Sequence, residues 1–154
     1  MTSVAEGTML ACGGFLLAVL WMDLIFDSQV RGVPDGQVPA PVLASIAQYY
    51  RRATTTSRPM SRLIAAVMVI LLAALVLQGV TGDDPIWLTA VSAALAGAPI
   101  VLAGSRTVPN AVRLGGLEDG LADQSRLARS IYRDHLVCFA AISALLLLRL
   151  WAVW

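Results

Sequence analysis

Leu63 to Val80 reads LIAAVMVILLAALVLQGV, 18 residues without a charge. A helix that spans a bilayer takes roughly 17–25 such residues. The run does not alternate every second position, as a half-buried strand would, and backbone groups in lipid must be satisfied within their own segment. It therefore reads as a membrane helix. Three more runs of the same kind lie on either side: Met9–Phe26, MLACGGFLLAVLWMDLIF; Ile86–Gly104, IWLTAVSAALAGAPIVLAG; and Leu136–Trp154. The expected fold is all-α, an integral membrane four-helix bundle forming one transmembrane domain over residues 1–154. Its loops are 27–62 and 105–135.

Composition agrees. The chain of 154 residues is 58% hydrophobic and only 14% charged, and its mean hydropathy is +0.74. A soluble domain is nearer a quarter charged, so there is too little polar surface here to wrap a water-soluble globule. The first run is expected to be a true span rather than a cleaved signal. It lacks a basic segment before it and an A-x-A site after it. Net charge is +1, which gives no reason to expect a nucleic-acid partner.

Arginines set the expected orientation. The chain has no lysine, and ten of its eleven basic residues fall in the two loops: Arg31, Arg51, Arg52, Arg58, Arg62, Arg106, Arg113, Arg126, Arg129 and Arg133. The excess of positive charge on cytosolic loops then places both loops in the cytosol and both termini outside the plasma membrane. Arg149 is expected to snorkel outward from the last span. The short outer turn carries Asp83 and Asp84, and Trp87, Trp151 and Trp154 form the expected outer aromatic belt. Tyr49, Tyr50 and Tyr132 form the inner one. Cys12 and Cys138 lie near opposite ends of their spans, too far apart in depth for a disulfide.

The loops are not featureless. Val42–Arg52, VLASIAQYYRR, puts Val42, Ile46, Tyr49 and Tyr50 on one helical face. That predicts a short amphipathic helix, either lying on the inner membrane surface or packed under the bundle. Ser57 and Pro59 predict the start of the second span. Gly115–Gly116 predicts a turn, and Glu118, Asp119 and Asp123 a helix start after it. In the third span Pro99 predicts a kink. Its small residues Ala90, Ala94, Gly97 and Ala98 predict close helix packing, inside the bundle or in a homodimer seam.

Polar residues gather at the cytosolic ends of all four spans. Asp23 and Asp27 are four apart on the first helix. Arg58 and Arg62 open the second, Arg106 and Asn110 end the third, and Arg129, Arg133, Asp134 and the only histidine, His135, open the fourth. A carboxylate inside an apolar run is costly and usually faces the bundle interior and a partner. Asp23 and Asp27 are therefore expected to pair with Arg62, Arg129 or Arg133. The candidate acid–base residues are His135, Asp23 and Asp27. The candidate ligand-binding residues are Asn110, Tyr132, Arg106, Arg129, Arg133, Arg62 and Asp134. A single histidine without CxxC or HExxH spacing does not make a metal set, and no nucleophile elbow, phosphate loop or dinucleotide fingerprint is present. These residues identify no cofactor. A lone polar network that fixes helix register is the competing account.

Two stretches carry a family likeness: RTVPNAV, Arg106–Val112, at the end of the third span, and SIYRDHLVCF, Ser130–Phe139, at the start of the fourth. With four spans in this order, the chain resembles the DUF1772 group of small membrane proteins, which includes anthrone-oxygenase-like members. Their third span ends in a motif like N-V-P-L-N, here without its leading asparagine and its leucine. The resemblance implies a helical membrane scaffold that binds or transforms a lipophilic small molecule near the cytosolic interface. The alternative from a different class is a non-enzymatic subunit. It would be held in the lipid bilayer and assembled with itself or with a larger membrane partner.

Overall fold

The computed structural model describes residues 4–33, 36–82 and 84–153; the side chains of Arg58 and Val153 lie outside that description, as do Asp83 and Trp154. Every regular element is helical: α1 (Val4–Asp27), a 3-10 turn (Ser28–Gly32), α2 (Ala40–Tyr50), a π turn (Arg51–Thr56), α3 (Arg58–Thr81), α4 (Ile86–Leu102), a second π turn (Ala103–Thr107), α5 (Val108–Gly116) and α6 (Leu121–Val153). Four stretches are long and apolar enough to cross a membrane, within Val4–Gly32, Pro59–Thr81, Ile86–Gly116 and Leu121–Ala152. The chain is a small multi-pass membrane protein.

The four long helices close a ring in which each packs on two neighbours: α1 on α3 and α6, α4 on α3 and α6. Neighbours run antiparallel, so one end of the bundle gathers the termini and the α3–α4 turn, and the other gathers both loops. Within the spans the core is thin, built on Met9, Leu16, Leu71, Leu75, Ala96 and Leu145. Val69, Val76, Val80 and Leu147 point outward instead. In water such a surface would aggregate; in lipid it costs nothing, because acyl chains are as apolar as the side chains.

The loop end is built differently. There α2 lies beneath the bundle against α5, α1 and the first turns of α6. Leu43, Ile46, Ala47 and Tyr50 of α2 join Ala111, Leu114 and Ile131 in a second, densely buried core. Of the two placements the amphipathic pattern allowed, the structure takes the packed one. The polar face is the one left outside.

Helix boundaries follow local chemistry. Pro59 sits in the first turn of α3, where its missing N–H costs nothing. Ser57 holds the N-cap position without a side-chain cap, and its carbonyl receives Met60 and Ser61. Pro99 does not end its helix. The backbone runs past it and widens into the π turn at Ala103–Thr107. A prolyl ring leaves a carbonyl one turn earlier without its donor. α6 runs unbroken for 33 residues, about 50 Å, so it projects well past a hydrocarbon core.

Three expectations are corrected here. The turn after α5 is made by Leu117, which takes the left-handed conformation at φ 55°, and not by Gly115–Gly116. Gly115 serves close approach instead: a Cβ there would stand 3.0 Å from the Arg51 backbone nitrogen. The small residues Ala90, Ala94 and Ala98 are exposed, which overturns their packing inside the bundle and leaves the homodimer seam open, and α4 packs inward through Leu88, Ser92, Ala96 and Pro99. The 100° step of a helix separates those two rows. Arg149 does not snorkel: it is 1% exposed and turns into the bundle.

Candidate functional site

Asp23 and Asp27 share one face of α1, as their spacing requires. α2 brings two tyrosines up to them. The Tyr49 hydroxyl donates to Asp23 Oδ1 at 2.6 Å, and the Tyr50 hydroxyl donates to Asp27 Oδ1 at 2.5 Å. From α6, His135 Nδ1 lies 2.7 Å from Asp27 Oδ2. A carboxylate only accepts, so Nδ1 carries the proton and donates. The other ring nitrogen, Nε2, faces Asp23 Oδ2 at 3.8 Å. Phe26 stacks on Tyr49 with ring centroids 4.1 Å apart. Asp27 is fully buried, and Tyr50 and His135 nearly so. Burial pushes both tyrosine hydroxyls up, and the facing carboxylates push them further, Asp27 beside Tyr50 and Asp23 beside Tyr49.

The carboxylates therefore meet phenols and an imidazole among the described residues, not the arginines expected from sequence. The reason is rotational. Each α6 residue turns about 100° from the last, so Arg133 points roughly 160° away from His135. Arg62 is exposed and joins neither group. Tyr132 packs against the loop-end core. Tyr49 and Tyr50 are likewise drawn into the loop end rather than arrayed as an interfacial belt. Trp87 and Trp151 do stay exposed at the terminal end.

On the far face of α6 the remaining polar residues build a separate feature. A groove of about 670 Å³ runs between α6, the α4–α5 junction and the chain at Gly36–Gln37. Arg106, Asn110, Arg126, Arg129, Ser130 and Arg133 line it. Asp134 stands between the two features. Its Oδ2 accepts from Thr107 Oγ1 at 3.3 Å and faces Arg106 Nε at 3.3 Å. Arg106 also donates to Ser130 Oγ at 2.9 Å. Arg129 donates to the carbonyls of Val33 and Gly36, tying the first loop to the groove wall. Nearby, Arg113 clasps Asp119 through two bonds of 2.7 Å, and those bonds hold the Asp119 carboxyl below its ordinary range.

Thus of the sequence candidates, Asp23, Asp27 and His135 meet in one cluster, and Arg106, Asn110, Arg129 and Arg133 meet in another. A second cavity, about 440 Å³ and apolar, lies in the α1–α6 crevice against Gly14, Leu17, Trp21, Met22 and Phe139. Neither Asp23 nor His135 lines it. No group of three or more His, Cys, Asp or Glu side chains among the described residues is disposed to hold a metal.

Sequence reasoning missed Tyr49 and Tyr50 as partners, though both sit on the apolar face predicted for α2. It missed Arg126, although 126, 129, 130 and 133 repeat at helical spacing. It also missed the other end of the bundle. There Arg149 Nη2 donates to Glu6 Oε2 at 2.8 Å and Nη1 donates to Asp84 Oδ2 at 2.7 Å. Cys12 and Cys138 are free thiols.

No known protein family, curated protein or solved structure matches the chain.

Proposed function

We propose that this membrane protein binds a lipophilic small molecule through the molecule's polar end, in the groove at the loop end of the bundle. The arginine excess on the loops supports a cytosolic loop end with both termini outside. The observation that carries the reading is the groove itself. It is concave, and it is lined by Arg106, Asn110, Arg129 and Arg133, just before the apolar run of the fourth span begins at Leu136. The stretch that resembles the DUF1772 motif contributes Asn110 to this lining.

Binding stands ahead of chemical transformation. Asp23, Asp27 and His135 are occupied with each other and with two tyrosines, and they line neither cavity. They hold α1, α2 and α6 in register behind the groove.

Native mass spectrometry of the protein released gently from its own membrane tests the reading. A defined retained mass is expected, and it is lost on Asn110→Ala. Bare wild-type protein under conditions that keep annular lipids would end it.

A second reading, a scaffold that assembles with itself, is favoured by one observation. The row Ala90, Ala94 and Ala98 is exposed on α4 with Gly97 beside it, and small residues let membrane helices approach closely. A dimer mass in the same spectrum would support it.

A further inference from the structure

We infer that the groove takes a phosphate monoester, bracketed by Arg129 and Arg133. The inference rests on the groove being the binding site and names the chemistry it selects.

The charges decide it. Four arginines line the groove. Asp134 lies 3.3 Å from Arg106, and Asp123 lies 2.6 Å from Arg126. Among the described residues Arg129 meets only the neutral carbonyls of Val33 and Gly36. Arg133 is exposed, with no carboxylate within ion-pair distance among the described residues. Among the described residues, four cations less two carboxylates leave two positive charges in one concave surface. A carboxylate or a phosphodiester, each carrying one negative charge, would neutralise only half of that. A phosphate monoester carries about −1.5 to −2 at pH 7 and matches it.

Geometry agrees. Arg129 and Arg133 are four apart on α6, so their Cβ atoms stand roughly 5–6 Å apart. Two planar guanidinium forks at that spacing can close on a tetrahedral oxyanion from both sides. Asn110 of α5, also in the lining, adds an amide donor.

Depth bears on the source of the phosphate. Counting back from Leu136, where the apolar run begins, Arg133 lies about 5 Å and Arg129 about 10 Å along the axis. The polar layer outside the hydrocarbon core is about 5–8 Å thick on each side. The pair therefore reaches a lipid headgroup from below and a soluble phosphate ester from the cytosol.

The test uses the full chain in nanodiscs of dioleoyl phosphatidylcholine doped equally with phosphatidic acid and phosphatidylglycerol. Native mass spectrometry counts the lipids that stay bound. Phosphatidic acid should be retained about tenfold over both others. The preference should vanish in the Arg129→Gln/Arg133→Gln double variant and persist in Arg52→Gln, an exposed arginine outside the groove. In a second arm, glycerol 3-phosphate is titrated against protein in neutral detergent. Binding there, with no lipid preference, would assign the site to a soluble phosphate monoester. Equal retention of all three lipids with no glycerol 3-phosphate binding would overturn the inference. If an endogenous mass were still lost on Asn110→Ala in that case, the groove would remain a binding site for another chemistry. If no such mass existed, both readings would fall.

Discussion

Removing the carboxylate of Asp27 would strand two donors at once. Tyr50 and His135 both end on it, and what remains to them is each other at 3.4 Å and, for His135, Asp23 at 3.8 Å. Asp27→Ala should therefore destabilise the protein by about 3–5 kcal/mol. Asp23→Asn should cost about 1 kcal/mol or less, because the amide oxygen still accepts from Tyr49. Thermal unfolding in one detergent compares the two, and equal losses would refute the ranking. The tyrosines carry a second expectation. Their hydroxyls are held protonated by burial and by the facing carboxylates. Their contribution to stability is then fully present below the unfolded value near pH 10 and is lost as pH rises beyond it. Ultraviolet absorbance should show Tyr49 and Tyr50 ionising only as the fold opens; their ionisation in the folded protein would contradict the buried pairing. Sequence alone exposed the cost of Asp23, since a charge in an apolar run needs a partner. It did not expose which partner, because that depends on where α2 comes to rest.

At the scale of the elements, helix existence was legible and helix facing was less so. Apolar length found all four spans, and period found Ile46 and Tyr50 on the buried face of α2 but not Leu43 and Ala47, which share it. What period could not decide was which side of a nearly all-apolar helix turns inward. On α4 both the row containing Ala90 and Ala94 and the row containing Ser92 and Ala96 are small, and only the second is buried. The same ambiguity applies to glycines, and two substitutions separate their roles. Gly115→Ala would push a methyl to 3.0 Å from the Arg51 nitrogen and 3.2 Å from its Cα. Backbone cannot yield as a side chain can, so the seam between α5 and the turn after α2 should open, at about 1–3 kcal/mol. Gly97→Ala meets nothing within 4 Å and should leave the monomer unchanged or gain about 0.5–1 kcal/mol. Circular dichroism melts of the two variants check the pair. Gly97→Leu adds a reading of assembly: if the exposed face of α4 is a dimer seam, this variant should sediment as a monomer where wild type does not.

For the molecule as a whole, the four spans must be closed at both ends, and the two ends are closed by different chemistry. The loop end uses a packed cap of α2 and α5. The terminal end uses Arg149, which bridges to Glu6 at the start of α1 and to Asp84 before α4. Those partners lie 143 and 65 positions away in the chain. Local reading of a lone arginine near a helix end could only suggest an outward reach. The guanidinium is almost wholly enclosed, and its Nε meets no acceptor among the described residues, so the clasp carries a large desolvation cost. Such a group is dangerous to break and cheap to replace. Arg149→Ala should therefore lose about 3–5 kcal/mol by leaving two carboxylates without their cation. Replacing all three together, with Arg149→Met, Glu6→Leu and Asp84→Leu, should restore wild-type stability or exceed it. Thermal unfolding of the single and triple variants decides the matter. A triple variant as unstable as Arg149→Ala would mean that the ions give this end of the bundle a net stabilisation that apolar packing cannot supply.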